Sequence, residues 1–142
     1  ANSLIVGGLK VGMNVVVATP DGYKPDGAVL EFTKGYGDKF ALETDPFMAA
    51  SGADILITDT WTSMGEEAEK EERKKIFKDY QINKQLLAAA NAGAMVQHCL
   101  PAYRGQEITE EVFEEHADEI FNEAENRLHA QKAVMVKLMK KD

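Results

Sequence analysis

The sequence predicts an α/β fold, in which a parallel sheet is covered by helices on both faces. Short runs rich in Val, Ile and Leu recur along the chain, as is typical of buried parallel strands. Longer segments with charged residues, Ala and Leu separate these runs, and strands that alternate with helices favour a parallel sheet. A chain of 142 residues suits one domain with a single core.

The first third of the chain supplies two of the predicted strands. It opens with a short apolar helix at 4–9, for which Asn2 or Ser3 is the candidate N-cap. No strand precedes this helix, so the sheet is expected to lack its first strand. The run 13–18 is rich in β-branched residues and predicts a buried strand. The remaining elements here are a helix at 26–36, a strand at 39–43 and a small helix that begins at Asp45-Pro46.

The rest of the chain continues the alternation. A buried strand is predicted at 53–58, and a polar helix at 66–79 carries acidic residues first and basic residues later, as the helix dipole favours. A helix at 109–116 begins at Thr109, but Val112 stands where a capping box needs Glu or Gln. The other predicted elements are a helix at 83–91, strands at 94–96 and 119–121, and a terminal helix at 123–140.

Polar or reactive residues follow three of the predicted strands. Asp59 follows 53–58, His98 and Cys99 follow 94–96, and Asn122 follows 119–121. In an open parallel α/β sheet, ligands bind in the crevice outside the carboxyl ends of the strands. The three stretches are therefore expected to meet at one edge of the sheet.

Cys99 is the only cysteine in the chain. It could be a nucleophile, a thiol that handles protons, or a core residue, since free cysteines are often buried and inert. A neighbouring imidazole lowers a thiol pKa, so His98 predicts an accessible Cys99 with a lowered pKa. A Cys–His hydrolase remains an alternative on this reasoning, although sequence neighbours rarely face each other.

Three further features of the crevice have both a binding and a structural interpretation. Asp59 could hold a cationic amine or cap the next turn. The turn at Ser63-Met64-Gly65 offers backbone N–H groups suited to a carboxylate. Arg127 could bind a carbonyl or phosphate oxygen, or pair with Glu123 one turn earlier. The side chains expected to be structural are Trp61, His116 and His129.

The amino-acid composition excludes some classes of binding partner. The formal charge of −8 argues against nucleic acid, and no apolar run is long enough for a membrane span. A single cysteine cannot form an internal disulfide and fits a reducing cytosol. No metal-ligand spacing stands out, and no cofactor is expected. The sequence therefore predicts a cytoplasmic domain that handles small molecules.

Three motifs together resemble those of the ornithine carbamoyltransferases. They are Asp-x-Trp-x-Ser-Met-Gly at 59–65, His-Cys-Leu-Pro at 98–101 and Glu-Asn-Arg at 125–127. The resemblance runs along the whole chain in the right order. It implies a Rossmann-like fold in which residues 1–142 form the C-terminal, ornithine-binding domain of such an enzyme.

The resemblance implies transfer of the carbamoyl group of carbamoyl phosphate to the δ-amine of L-ornithine, which gives L-citrulline and phosphate. The family's N-terminal carbamoyl-phosphate domain, with its Ser-x-Arg-Thr-Arg motif, is absent from this sequence. The 142-residue chain alone is therefore expected to be inactive. The parent enzyme is expected to be a homotrimer of arginine metabolism.

The same resemblance assigns roles to individual residues. The catalytic residues are expected to be Asp59, Cys99 and Arg127. The substrate-binding residues are expected to be Asp59, Ser63, Met64, His98, Cys99, Leu100 and Arg127. Asp59 and Cys99 would contact the δ-amine, Ser63 and Met64 the amino acid end of ornithine, and the Leu100 backbone and Arg127 the carbamoyl group.

Two alternatives belong to other classes. The chain could be a non-catalytic module that binds an amino acid or serves only folding, or it could belong to a carbamoyltransferase that uses another amine. An upstream Ser-x-Arg-Thr-Arg segment in the full reading frame would favour the enzyme.

Overall fold

A computed structural model describes residues 1–62 and 70–140. The chain divides into two compact units, Ala1–Ser51 and Gly52–Asp142. Each unit contains one pair of parallel strands with helices between them in sequence. The α/β class predicted from the sequence is confirmed, and the described strands pair as two short sheets, one in each unit.

The first unit is built from three helices and two strands. Its elements are α1 (Asn2–Lys10), β1 (Val15–Ala18), α2 (Gly27–Thr33), a 3₁₀ segment (Lys34–Lys39), β2 (Phe40–Glu43) and α3 (Pro46–Ala50). β1 pairs with β2 in parallel, with Val15 opposite Phe40. α1 buries Ile5 and Leu9. α3 is short but well capped, since Asp45 Oδ1 accepts the N–H of Phe47 at 2.8 Å and Pro46 stands at the first helical position.

The second unit contains the strands that matter for function. Its elements are β3 (Ile55–Thr58), α4 (Lys70–Phe77), a 3₁₀ turn (Lys78–Tyr80), α5 (Lys84–Ala89), β4 (Met95–His98), α6 (Glu110–Glu115) and α7 (Ala117–Met139). The part of the predicted helix 66–79 that precedes Lys70 lies outside the described residues. Asn83 Oδ1 caps α5 by accepting the N–H of Leu86 at 2.9 Å. Thr109 Oγ1 faces the N–H of Val112 at 3.4 Å, so α6 has an N-cap without a capping box.

β3 and β4 are parallel neighbours in a fixed register. Ile55 lies opposite Met95, and Thr58 lies opposite His98. Both strands therefore end at the same level, and the residue that follows each strand emerges at the same edge. This register brings Asp59 and Cys99 together.

The strand predicted at 119–121 is wrong, because these residues belong to α7. The N–H of Ile120 bonds to the carbonyl of His116, as in a helix. Ile120 is fully buried, whereas Phe121 is exposed. A short apolar pair with one buried position fits either a helix or a strand. The sequence pattern at 119–121 therefore cannot distinguish the two kinds of element. Asn122 consequently follows no strand, and Arg127 lies in the third turn of α7.

No helix within the described residues is both long enough and apolar enough to cross a membrane.

Candidate functional site

The candidate site lies at the carboxyl ends of β3 and β4. Asp59 directly follows β3, and Cys99 directly follows β4. A carboxylate oxygen of Asp59, a ring nitrogen of His98 and Sγ of Cys99 all lie within 4.8 Å of one another. The structure thus brings together the two strand ends that the sequence predicted to meet.

Asp59 is exposed, and its carboxylate faces two groups. Its Oδ1 accepts the N–H of Thr60 at 2.7 Å, which is the local turn contact. A carboxylate oxygen also lies within 4.8 Å of Sγ of Cys99, whose pKa the interaction with Asp59 helps to raise. The carboxylate is therefore fixed by its own backbone and directed towards the cysteine, where it can hold a cationic amine.

The lowered pKa predicted for Cys99 is wrong. The thiol is half-buried, and this burial, together with the hydrogen bond to Asp59 and the negative charges of Asp59 and Glu123, raises its pKa to about 11. The positive charge of Arg127 opposes these effects but is the smallest of them. Cys99 is therefore a neutral thiol at pH 7, which removes the basis for a thiolate hydrolase.

His98 does not activate Cys99, because its ring is engaged elsewhere. The side chain is fully buried, with Nε2 3.0 Å from Oε1 of Glu107. Its Nδ1 accepts the backbone N–H of Leu100 at 2.9 Å. The ring lies within 4.8 Å of Sγ of Cys99, but both of its nitrogens are bound to other groups.

Leu100 has an unusual backbone. Its φ is +53°, in the left-handed region that residues other than glycine seldom adopt, and the bond to Pro101 is cis. The hydrogen bond to His98 holds this turn. As a result, the chain changes direction immediately after Cys99.

Arg127 reaches the site from α7. Its Nη1 donates to the backbone carbonyl of Cys99 at 3.1 Å, although the guanidinium remains exposed. Within residues 1–62 and 70–140, it forms no ion pair with Glu123. The predicted proximity of Arg127 to the strand ends is therefore present, even though the strand expected to lead to it is not.

Two of the predicted binding residues, Ser63 and Met64, lie outside the described residues. Trp61 packs against Phe77 with ring centroids 6.1 Å apart, consistent with an anchoring role. The two remaining histidines each have a carboxylate partner on α7: His116 is 3.0 Å from Glu119, and His129 is 3.1 Å from Glu125.

Sequence reasoning missed one carboxylate beside the site and the effect of another. Glu107, which is fully buried against His98, belongs to none of the three motifs and has no periodic relation to His98. Glu123 was considered only as a partner of Arg127, whereas one of its oxygens is buried and its charge acts on Cys99.

The donor atoms of Asp59, His98 and Cys99 could also approach a metal ion. Oxygen, nitrogen and sulfur at this spacing match the ligands that Zn²⁺ accepts. However, both ring nitrogens of His98 already have partners, so coordination would require one of those hydrogen bonds to break. The donor set as it stands supplies only Asp59 and Cys99 freely, which is fewer than a protein zinc site uses.

Comparisons with known proteins show the family of the chain. Residues 1–138 match the family model described as "Aspartate/ornithine carbamoyltransferase, Asp/Orn binding domain". The chain is 54% identical to an ornithine carbamoyltransferase of Gloeobacter violaceus in an alignment of 143 positions that covers 98% of this chain and 46% of that protein. It is 49% identical to an ornithine carbamoyltransferase of Thermococcus kodakarensis, with 98% and 45% covered.

A solved structure shows the same relationship. The anabolic ornithine carbamoyltransferase of Campylobacter jejuni matches with a TM-score of 0.90 at 43% identity, over 96% of this chain and 46% of that one. This likeness confirms the Rossmann-like fold. The chain spans about half the length of the curated relatives it matches. It belongs to the aspartate/ornithine carbamoyltransferase family, in which it matches the domain that binds aspartate or ornithine.

Proposed function

We propose that this chain is the C-terminal, ornithine-binding domain of an ornithine carbamoyltransferase. The complete protein would transfer the carbamoyl group of carbamoyl phosphate to the δ-amine of L-ornithine, giving L-citrulline and phosphate. The observation that carries the proposal is the convergence of Asp59, Cys99 and Arg127 at the ends of β3 and β4. This reaction needs a hydrogen-bond acceptor for the amine, which Asp59 supplies, and a hydrogen-bond donor for the carbonyl oxygen, which Arg127 supplies.

Asp59 and Cys99 would handle the amine. The δ-ammonium of ornithine must lose a proton before its nitrogen can attack the carbonyl carbon. Because the thiol of Cys99 stays protonated, Asp59 is the anionic partner that orients the ammonium and accepts its proton as the general base. Cys99 contributes a hydrogen bond to Asp59 and a polar contact for the amine, and does not act as a base.

Arg127 and the Leu100 backbone would hold the carbamoyl group. Attack on the carbonyl carbon places negative charge on its oxygen until phosphate leaves. A guanidinium already fixed by the carbonyl of Cys99 can stabilise this charge without reorganising. Ser63 and Met64 would position the amino acid end of ornithine, as the resemblance of their motif implies. We assign His98 a supporting role, because its side chain holds the turn at Leu100 through a hydrogen bond.

The remaining parts of the proposal concern the whole protein. We propose that a separate carbamoyl-phosphate domain completes the site, that the enzyme is a homotrimer, and that it serves arginine biosynthesis in the cytoplasm. The chain's 46% share of its Gloeobacter violaceus relative supports the need for a second half. The single cysteine supports a reducing compartment.

A chimera tests the activity directly. This chain would replace the matching 46% of the Gloeobacter violaceus relative, with which it is 54% identical. Citrulline formation is measured with carbamoyl phosphate and either L-ornithine or L-aspartate as acceptor. The proposal expects turnover with ornithine, and none with aspartate.

The unaltered relative serves as the positive control for assembly and assay. A folded chimera that binds neither acceptor would favour a non-catalytic module. Turnover with aspartate or another amine, but not with ornithine, would replace ornithine as the assigned substrate.

A further inference from the structure

A buried hydrogen-bond chain underlies the candidate site. Glu107 and His98 are both fully buried, and Oε1 of Glu107 lies 3.0 Å from Nε2 of His98. The same oxygen accepts the backbone N–H of Tyr103 at 2.6 Å. Oε2 of Glu107 is also buried, and within the described part of the chain it has no hydrogen-bond partner. A carboxylate so placed binds no substrate itself, but it determines how His98 is oriented.

The hydrogen-bond pattern fixes the tautomer of His98. A backbone N–H can only donate, so Nδ1 of His98 must accept the bond from Leu100 with a lone pair. The ring proton therefore resides on Nε2, where it is donated to Glu107. The bond from Leu100 thus sets the tautomer, and Glu107 holds the orientation of the ring by accepting its Nε2 proton.

The bond from Leu100 controls a peptide group that belongs to the site. The peptide unit between Cys99 and Leu100 is planar, and its C=O and N–H point in opposite directions. Its N–H is bound by His98, and its C=O is bound by Arg127 at 3.1 Å. The two contacts hold opposite ends of one rigid plane, and they hold Leu100 at its left-handed φ of +53°.

We propose that Glu107 is a positioning residue for carbamoyl transfer. Through His98 it sets the orientation of the Cys99–Leu100 peptide plane, and thereby the direction of the Cys99 thiol and of the Arg127 guanidinium. This inference rests on the proposed function, since it assigns Glu107 to that same site. The role is one of geometry, and no proton passes from Cys99 through His98 to Glu107, because the His98 ring nitrogens face Leu100 and Glu107.

The test compares three variants of the active chimera described above. Glu107→Ala removes the acceptor, whereas Glu107→Gln keeps an oxygen that can accept from both His98 and Tyr103. The matched control is Glu119→Ala, because Glu119 likewise joins a histidine, His116 at 3.0 Å, to a backbone N–H, that of Val96 at 2.8 Å. Glu119 bonds β4 at Val96, near its other end, and contacts no site residue.

Turnover and the hydrogen bonding of His98 Nε2–H are measured in each variant. Glu107→Ala is expected to lower kcat about 100-fold, as a displacement of about 1 Å does in a preorganised site. Its KM for each substrate should change much less. Glu107→Gln should stay within about fivefold of the parent chimera, and Glu119→Ala should leave kcat unchanged. In ¹⁵N spectra of histidine-labelled protein, the Nε2–H resonance of His98 should stay close to that of the parent in Glu107→Gln and shift in Glu107→Ala, which lacks the acceptor.

Several results would overturn the inference. An unchanged Nε2–H resonance or an unchanged kcat in Glu107→Ala would do so, as would an equal loss of kcat in Glu119→Ala. If Glu107→Ala does not fold, Glu107→Gln decides: a retained Nε2–H resonance and retained turnover support the role, and loss of either contradicts it. An inactive parent chimera contradicts the proposed function instead, and the comparison of Nε2–H resonances still tests the link between Glu107 and His98.

Discussion

Arg127 Nη1 and the backbone carbonyl of Cys99 lie 3.1 Å apart, in a hydrogen bond that joins α7 to the end of β4. The bond holds an exposed guanidinium beside a half-buried thiol and an exposed carboxylate. A cation, a neutral donor and an anion are thus arranged around one strand end. This arrangement leads to predictions about each of the three side chains.

Arg127→Lys is expected to lower kcat of the active chimera by about 10²–10³-fold, the effect of losing a donor to a developing oxyanion. A lysine ammonium is a point charge on a flexible stem and cannot keep the fork geometry of a guanidinium. Steady-state kinetics with both substrates measure the effect. Arg104→Lys is the control, because Arg104 is bound to Glu114 at 2.6 Å and lies outside the site. Equal losses in the two variants would contradict the role of Arg127.

Asp59→Asn is expected to weaken the use of ornithine about tenfold to a hundredfold, while carbamoyl phosphate binding stays nearly constant. The loss is that of one charged hydrogen bond to the amine, worth about 1.5–3 kcal/mol. The ratio of kcat/KM for ornithine to the binding constant for carbamoyl phosphate measures it. Asp54→Asn, at the other end of β3, should affect neither quantity. A parallel loss for both substrates in Asp59→Asn would indicate misfolding.

Cys99 is expected to react slowly with alkylating reagents near neutral pH. With its pKa raised from 9.0 to about 11, its thiolate fraction at pH 7 is about 100-fold below that of the unfolded chain. The rate of alkylation, followed against pH by mass spectrometry, should have its midpoint near 11. In Asp59→Asn the midpoint should fall, but burial should keep it above 9.0. A midpoint below that of the unfolded chain would contradict the assignment.

The same shift affects stability in alkaline solution. Since the native pKa is raised, the contribution of the protonated thiol is complete below pH 9 and is lost as the pH rises through about 11. Cys99→Ala should therefore show a smaller fall in the midpoint of urea unfolding between these two pH values than the parent chain. An identical fall in both proteins would show that Cys99 does not titrate as stated.

The sequence predicts those features of the site that follow from local patterns of residues, and not those that depend on tertiary contacts. The proximity of Asp59 and Cys99 was predictable, because runs of β-branched residues mark parallel strands whose ends coincide. The protonation state of Cys99 was not, because it depends on burial of the thiol and on the charges of Asp59 and Glu123. The partner of His98 was not either, since Glu107 lies nine residues further on with no pattern to connect them. Those contacts are set by tertiary packing, which leaves no local signature.

The 142-residue chain alone is expected to form no citrulline. Carbamoyl phosphate carries an anionic phosphate that needs several convergent donors. Of the three arginines, Arg104 is bound to Glu114 and Arg73 donates to the carbonyl of Trp61 at 3.3 Å, which leaves Arg127 for the carbamoyl end. Holding both reactants at attack distance contributes up to about 7–11 kcal/mol. A citrulline assay on the purified chain checks this, and turnover would contradict the division of the site.

Packing of α7 can be tested by two substitutions in the same helix. Ile120→Ala should destabilise the chain by about 2–5 kcal/mol, because it empties a fully buried position. Leu128→Ala should change the free energy of unfolding by less than about 0.5 kcal/mol, since that side chain is 57% exposed. Urea denaturation measures both. Similar values for the two variants would contradict the difference in burial between these two positions of α7.

The left-handed backbone of Leu100 should affect stability and turnover in opposite directions. A leucine at φ +53° is strained by about 1–2 kcal/mol, and glycine would relieve that strain at about 1 kcal/mol of lost chain rigidity. A library screened only for heat resistance should therefore enrich glycine at this codon. A library screened for turnover should retain leucine, because a stiffer turn keeps the catalytic peptide in one orientation. Enrichment of different residues in the two screens would show that stability and turnover place opposite demands on this position.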